Sequence, residues 1–200
     1  MNEIAAVSDV FEAIYRSDQW TNGSGPGSHP EATIEYRAFL SRFIEANDVT
    51  TVTDFGCGDW QSSRLMDWSK VRYFGIDIAP SVIERNTRLY GAGAVQFRIF
   101  QSTNDLPGGD LCICKDVLQH LPNAVVRDYL KAITSRYRFC LITNDSEPED
   151  VVNIDIHPGG WRPLRLERAP FLARGAIVLP YVVQRKNQFW KKNVFLICGR

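Results

Sequence analysis

The sequence predicts an α/β fold: a three-layer sandwich around a mostly parallel seven-stranded sheet, closed by an antiparallel C-terminal hairpin. Three observations carry this. From Val49 onward, short β-rich runs alternate with helical ones, and strands joined through helices form right-handed crossover units with helices on both faces of one sheet. At the end of the chain the alternation stops. Gly175 to Gln184 and Phe189 to Cys198 are both β-rich, and only residues 185–188 join them, too few for a crossover helix, so these strands must be antiparallel neighbours. Finally, 200 residues with 44% hydrophobic content suit a single domain that can bury a sizeable core.

In chain order, Val7, Val10, Phe11 and Ile14 recur at helical spacing and open the chain with an amphipathic helix. Residues 20–28 are glycine-rich and too poor in side chains to pack alone. His29-Pro30 starts a second helix, from Glu31 to Ala46, patterned by Ile34, Phe39, Leu40 and Phe43. Strands are expected at Thr50 to Asp54, Val71 to Asp77, Ala94 to Phe100, Asp110 to Cys114 and Tyr137 to Thr143. Helices are expected from Pro80 to Leu89, from about Asp116, and from Asn123 to Arg136.

Charge and cysteine usage narrow the class. Lys plus Arg number 23 and Asp plus Glu 23, so there is no basic excess to advertise nucleic-acid binding. The five cysteines include no Cys-x-x-Cys pair and match no zinc spacing. Cys112, Cys114 and Cys140 lie in apolar runs, as buried thiols of a reducing compartment do. Residues 1–10 contain two acids and no base, unlike a signal peptide, and no apolar run approaches a bilayer span. The expectation is a cytoplasmic protein without membrane insertion, with room for a homodimer.

The sharpest motif is Asp54-Phe-Gly56-Cys57-Gly58-Asp59-Trp60, where the first strand ends. Glycines there let the backbone turn tightly and approach a ligand with no Cβ in the way. Asp77 closes the second strand, placed to accept from the two adjacent hydroxyls of a ribose. Either feature alone is common; in this order they support each other. The third glycine of a dinucleotide-binding Gly-x-Gly-x-x-Gly is missing, because position 61 is Gln61.

Residues 54–58 resemble motif I of class I S-adenosylmethionine-dependent methyltransferases, Tyr73 to Asp77 resembles motif II, and Asp110 to Pro122 resembles motif IV with the helix after it. The resemblance runs from about Val49 to Thr143 and implies a Rossmann-like domain that binds S-adenosylmethionine. It implies donor contacts from Asp54, Gly56, Cys57, Gly58, Asp59, Trp60, Asp77 and Ile78. Lys115 and Asp116 would face the sulfonium, Val117 would also contact the donor, and Gln101, Ser102 and Thr103 would lie at the adenine edge. On this division residues 1–47 supply helices and a lid loop, 48–145 the donor-binding core, and 146–200 an acceptor loop and the terminal hairpin.

Two flanking segments are similar to parts of bacterial methyltransferases from polysaccharide and glycan gene clusters. In the first, Ser24 and Arg37 belong to a segment that folds over the donor, Arg37 pairing with its carboxylate, or else to a surface loop beside a helix-face arginine; Trp20 in the same segment is a candidate acceptor contact. In the second, Asn153, Asp155, Trp161 and Arg162 offer the bidentate polar groups and aromatic platform that sugars require, or form an ordinary connection. An alcohol acceptor must lose its proton to react, which calls for a base. Asp116 and His120, four positions apart and on one face if helical, can act jointly; His157 is the second candidate. No spacing specifies a metal site. The leading expectation is O-methylation of a sugar hydroxyl on an oligosaccharide or polysaccharide precursor. The rivals are a natural-product O- or N-methyltransferase and a non-catalytic donor-binding subunit.

Overall fold

The computed structural model describes residues 3–147, 150, 152–185 and 188–199; residues 186 and 187 of the expected hairpin turn lie outside them. Seven strands form one sheet: β1 (Thr51–Phe55), β2 (Arg72–Asp77), β3 (Val95–Ile99), β4 (Gly109–Lys115), β5 (Tyr137–Asp145), β6 (Ala176–Arg185) and β7 (Gln188–Cys198). Their order is β3-β2-β1-β4-β5-β7-β6. The first five are parallel, while β7 runs antiparallel between β5 and β6.

Among the described residues four α-helices cover the sheet: α1 (Glu3–Arg16), α2 (Ile34–Ala46), α3 (Pro80–Tyr90) and α4 (Asn123–Thr134). Alternation along the strands divides the core in two. Cys112, Cys114, Cys140 and Ile142 point to the face covered by α1 and α4. Leu111, Ile113 and Leu141 point to the face packed by Tyr36 and Leu40 of α2 and Ile83 of α3. Near-continuous apolar strands are what a sheet buried on both faces requires. All five cysteines are free thiols. Among the described residues no helix is long and apolar enough to cross a membrane.

Two expected helices differ. The stretch after β4 is only a short turn, Leu118–His120. Asp116 ahead of it adopts a left-handed conformation (φ 58°), and Pro122 behind it cannot continue a helix. The second expected helix begins as a tight turn at Glu31–Thr33 before α2.

The sheet positions the site. The chain leaves β1 for β2 on one side and later returns to β4 on the other, so the carboxyl ends of β1 and β4 flank a crevice where connections diverge. Ligands of open α/β sheets bind there. α1 closes over this edge, fastened by Ser8 Oγ, which donates to the Ile78 carbonyl at 2.7 Å.

Candidate active site

Above those strand ends lies a cavity of about 330 Å³, at the small end for ligand sites. Its floor at the β1–β2 end is the glycine turn. Gly56 (φ 75°) and Gly58 (φ 54°) are left-handed. A Cβ on Gly56 would strike the Val117 side chain, and one on Gly58 the Ser24 hydroxyl. The Asp77 carboxylate accepts from the Gly58 and Ala79 N–H groups, each at 3.0 Å. Burial pushes its pKa up to about 6, against the lowering effect of those N–H groups. Val7, Phe11, Ile78, Phe100, Val117, Leu121 and Tyr129 supply apolar walls.

Residues 20–28 form the roof. Ser24 Oγ accepts from Asp59 N (2.9 Å) and lies 3.1 Å from the Tyr15 hydroxyl, which ties the loop to both α1 and the glycine turn. Trp20 packs edge-on against Phe11 and Tyr15 and sits 5.0 Å from the His120 ring.

The β4–β5–β7 end is polar and charged. Lys115 Nζ donates to the Gly27 carbonyl (2.8 Å) and pairs with Asp116. Lys192, on β7, pairs with both Asp116 (2.9 Å) and Asp145. Asp145 also accepts from Trp161 Nε1 at 2.9 Å and from Gln119 Nε2 at 3.4 Å. Burial opposes ionisation of Asp116, but Lys115 and Lys192 outweigh it and hold its pKa down to about 2. Burial likewise opposes the charge on Lys192, yet Asp116 and Asp145 raise its pKa; for Lys115 burial prevails and lowers it. His120 Nδ1 lies 2.7 Å from the Gly160 carbonyl. A carbonyl only accepts, so Nδ1 carries the proton and Nε2 keeps its lone pair. Burial lowers the imidazole pKa, which favours the neutral ring.

Of the residues singled out from the sequence, Trp20, Ser24, Gly56, Cys57, Gly58, Asp77, Ile78, Lys115, Asp116, Val117, His120 and Trp161 line this one cavity. Others do not line it. Asp54 turns into the α2–α3 face and accepts from Tyr73 and Ser63, while Trp60 packs on Tyr73, Tyr90 and Phe97. The Asp59 carboxylate accepts from Gln61. Gln101 and Ser102 offer their N–H groups to Asp105, in a turn capped by Ser102 that includes Thr103. Arg37 donates to the Pro30 carbonyl and Thr33 hydroxyl, so it braces the chain entering α2.

The residues between 153 and 162 that were expected to bind an acceptor are mostly scaffolding. Asn153 staples its own loop through the carbonyls of Arg165 and Ala169 and the N–H of Arg165. Asp155 accepts from Asn123 N at the start of α4. Arg162 is buried and donates to Gln119 and Asn123. His157 is exposed and away from the cavity. The expected helical pairing of Asp116 with His120 gives way to separate anchors, because the intervening backbone is left-handed at Asp116.

No family model matches the sequence, and no curated protein matches it significantly. Solved structures do match. Magnesium protoporphyrin IX methyltransferase (ChlM) from Synechocystis PCC 6803 with bound SAH superposes with a TM-score of 0.67 at 16% identity, covering 98% of this chain and 99% of that one. A structure described as conversion of a disulfide bond into a thioacetal group during echinomycin biosynthesis gives 0.66 at 15% identity, covering 94% and 91%. The N-terminal domain of EvdMO1, in the presence of SAH and D-fucose, gives 0.60 at 15% identity, covering 100% and 98%. The chain has their fold. It is the Rossmann-like methyltransferase fold with its antiparallel C-terminal strands.

Tyr15, Phe100, Gln119, Tyr129, Trp190 and Lys192 also line the cavity, and motif reading missed them. A signal existed for Lys192: strand alternation puts it on the same face as Trp190 and Val194, an unusual place for an unpaired lysine.

Proposed function

We propose that this chain is an S-adenosylmethionine-dependent methyltransferase that O-methylates a sugar hydroxyl, with His120 as general base. The observation that carries the proposal is a single cavity with a buried acid over a glycine turn at one end and an imidazole with a free Nε2 lone pair at the other.

The residues present fit the donor. Asp77 has the charge and position to accept from ribose hydroxyls. Ile78, Phe100, Val117 and Leu121 offer apolar surface to a purine, and the Tyr15 and Ser24 hydroxyls offer polar partners to the amino-acid end. Glycines at 56 and 58 keep the floor clear of Cβ atoms. When bound, the sulfonium supplies an electrophilic methyl group.

The chain's own residues then do three things. The roof of residues 20–28 and α1 excludes water, which strengthens electrostatics inside the cavity. His120, held by the Gly160 carbonyl and the Trp20 ring, takes the hydroxyl proton at Nε2, a contribution of roughly 10²–10⁴-fold for a positioned base. Trp161, 55% exposed at the cavity wall with its indole N–H fixed by Asp145, offers a ring face to a sugar. The fold likeness to a domain studied with SAH and D-fucose supports the sugar acceptor.

The test is methyl transfer from labelled donor to a panel of neutral glycosides and oligosaccharides. Incorporation that drops at least about a hundredfold in His120→Ala, with SAH affinity kept, supports the proposal. Incorporation into phenols or amines alone would favour a second reading, a natural-product O- or N-methyltransferase. The three indoles of Trp20, Trp161 and Trp190 around the cavity and the likeness to the echinomycin-pathway structure favour that one.

A further inference from the structure

We propose that a pocket beside α4, remote from the cavity at the strand ends, is a binding site for a phosphate-bearing ligand of the nucleoside diphosphate type.

The pocket lies between α4, the segment leading into β6 and the end of β7. Its volume is about 340 Å³, within the range of small-molecule sites. Arg127 and Lys131 of α4 and Arg174 of the incoming segment supply its cations, while Leu130, Phe171 and Ile197 supply apolar surface. It shares no lining residue with the larger cavity. Ile197 pairs with Cys140 near the start of β5. The pocket therefore sits nearer the amino ends of the parallel strands, and the cavity above their carboxyl ends.

The three cations have nothing beside them to balance their charge. No acid is among the residues that line the pocket. Among the described residues Arg127, Lys131 and Arg174 make no ion pair, and their exposed side chains have no hydrogen-bond partner. Asp155 is within electrostatic reach of Arg127, yet its carboxylate is taken up by the N–H groups of Asn123 (2.8 Å) and Ile156 (3.0 Å). Asp128 lines the neighbouring groove instead.

Such a gathering of charge opposes itself. Arg127 and Lys131 are four positions apart on α4, the spacing at which like charges on a helix repel, and Arg174 brings a third from another segment. The chain as a whole has 23 basic and 23 acidic residues, so a basic composition does not account for it. An anion in the pocket would turn the repulsion into attraction.

The residue types select the anion. Guanidinium groups hold phosphate oxygens in pairs, and a lysine adds a point charge. Three cations match the roughly three negative charges of a diphosphate ester, whereas a single carboxylate would leave two of them unbalanced. The Phe171 ring, half-buried between the cations and the core, offers a face on which a base can stack.

Uridine diphosphate is the probe, because it carries the charge without the adenine ring that the larger cavity is proposed to take. Calorimetric titration of the full chain at low ionic strength should give a Kd at or below about 100 μM. Binding should weaken as salt is raised, and uridine, which lacks the phosphates, should bind at least about tenfold more weakly. Saturating S-adenosylhomocysteine should change the affinity less than about twofold. Arg127→Ala and Arg174→Ala remove exposed side chains that hold nothing in the fold. Each should weaken uridine diphosphate at least about tenfold, with the unfolding temperature and the affinity for S-adenosylhomocysteine kept. No binding of uridine diphosphate, equal binding of uridine, displacement by S-adenosylhomocysteine, or full affinity in both arginine variants would overturn the proposal.

Discussion

Asp54 and Asp77 stand on adjacent strands and are both almost wholly buried, yet only Asp77 reaches the cavity. Asp54→Asn should therefore lower stability, since Tyr73 and Ser63 lose a charged partner worth about 1.5–3 kcal/mol, while SAH affinity changes less than twofold. Thermal unfolding and calorimetry separate the two effects. Asp77 also fixes a pH dependence. Its folded pKa of about 6 lies above the ordinary 3.8, so between pH 4 and 6 the folded state holds the proton more tightly than the unfolded chain, and this group's effect is to lower stability as pH rises through that window. Donor affinity runs the other way: it should weaken as pH falls below 6, when the carboxylate proposed to accept from the ribose is protonated. Asp116 has the opposite sign, its stabilisation being present above 3.8 and lost only as pH falls towards 2. Residue types at the strand ends were legible in the sequence. Which of them reached the cavity was not: Asp54 shares the Val52 face of β1, packed under α2 and α3, and only the assembled sheet, α1 and roof show where the cavity opens.

At the level of elements, the roof and the loop around residues 152–173 are held by single side chains. Gly58→Ala would force a Cβ against the Ser24 and Tyr15 hydroxyls at a left-handed backbone position; SAH affinity should fall at least about tenfold, with the far-UV spectrum kept. Asn153→Ala removes the bonds that join Ile154's neighbourhood to Arg165 and Ala169. It should cost about 1–3 kcal/mol, read as a Tm drop of about 2–10 °C, and weaken acceptor binding through Trp161 while leaving SAH binding intact. The strands and the hairpin could be read from alternation and from a connection too short to cross over. The turn after β4 could not, since Asp116-to-His120 spacing mimics a helix and only the left-handed Asp116 and Pro122 prevent one. Asn153, Asp155 and Arg162 misled for a related reason: residues that bind sugars are also those that staple irregular loops.

For the whole molecule, the sheet divides the labour. β1 and β2 bring backbone and one acid to one end of the cavity, while β4, β5 and β7 bring a neutral cluster of buried charges and a histidine to the other; on the proposed reading the first end takes the donor and the second the acceptor. The antiparallel β7 is what delivers Lys192 to that cluster, so the C-terminal hairpin serves the site as well as the sheet. The division rests on the donor occupying the β1–β2 end. Calorimetric titration of wild-type protein and Asp77→Asn with S-adenosylhomocysteine, with NAD as control, tests this most directly. Micromolar binding of S-adenosylhomocysteine alone, weakened at least about tenfold in Asp77→Asn, is the predicted result. No binding, preference for NAD, or equal affinity in the two proteins would contradict it.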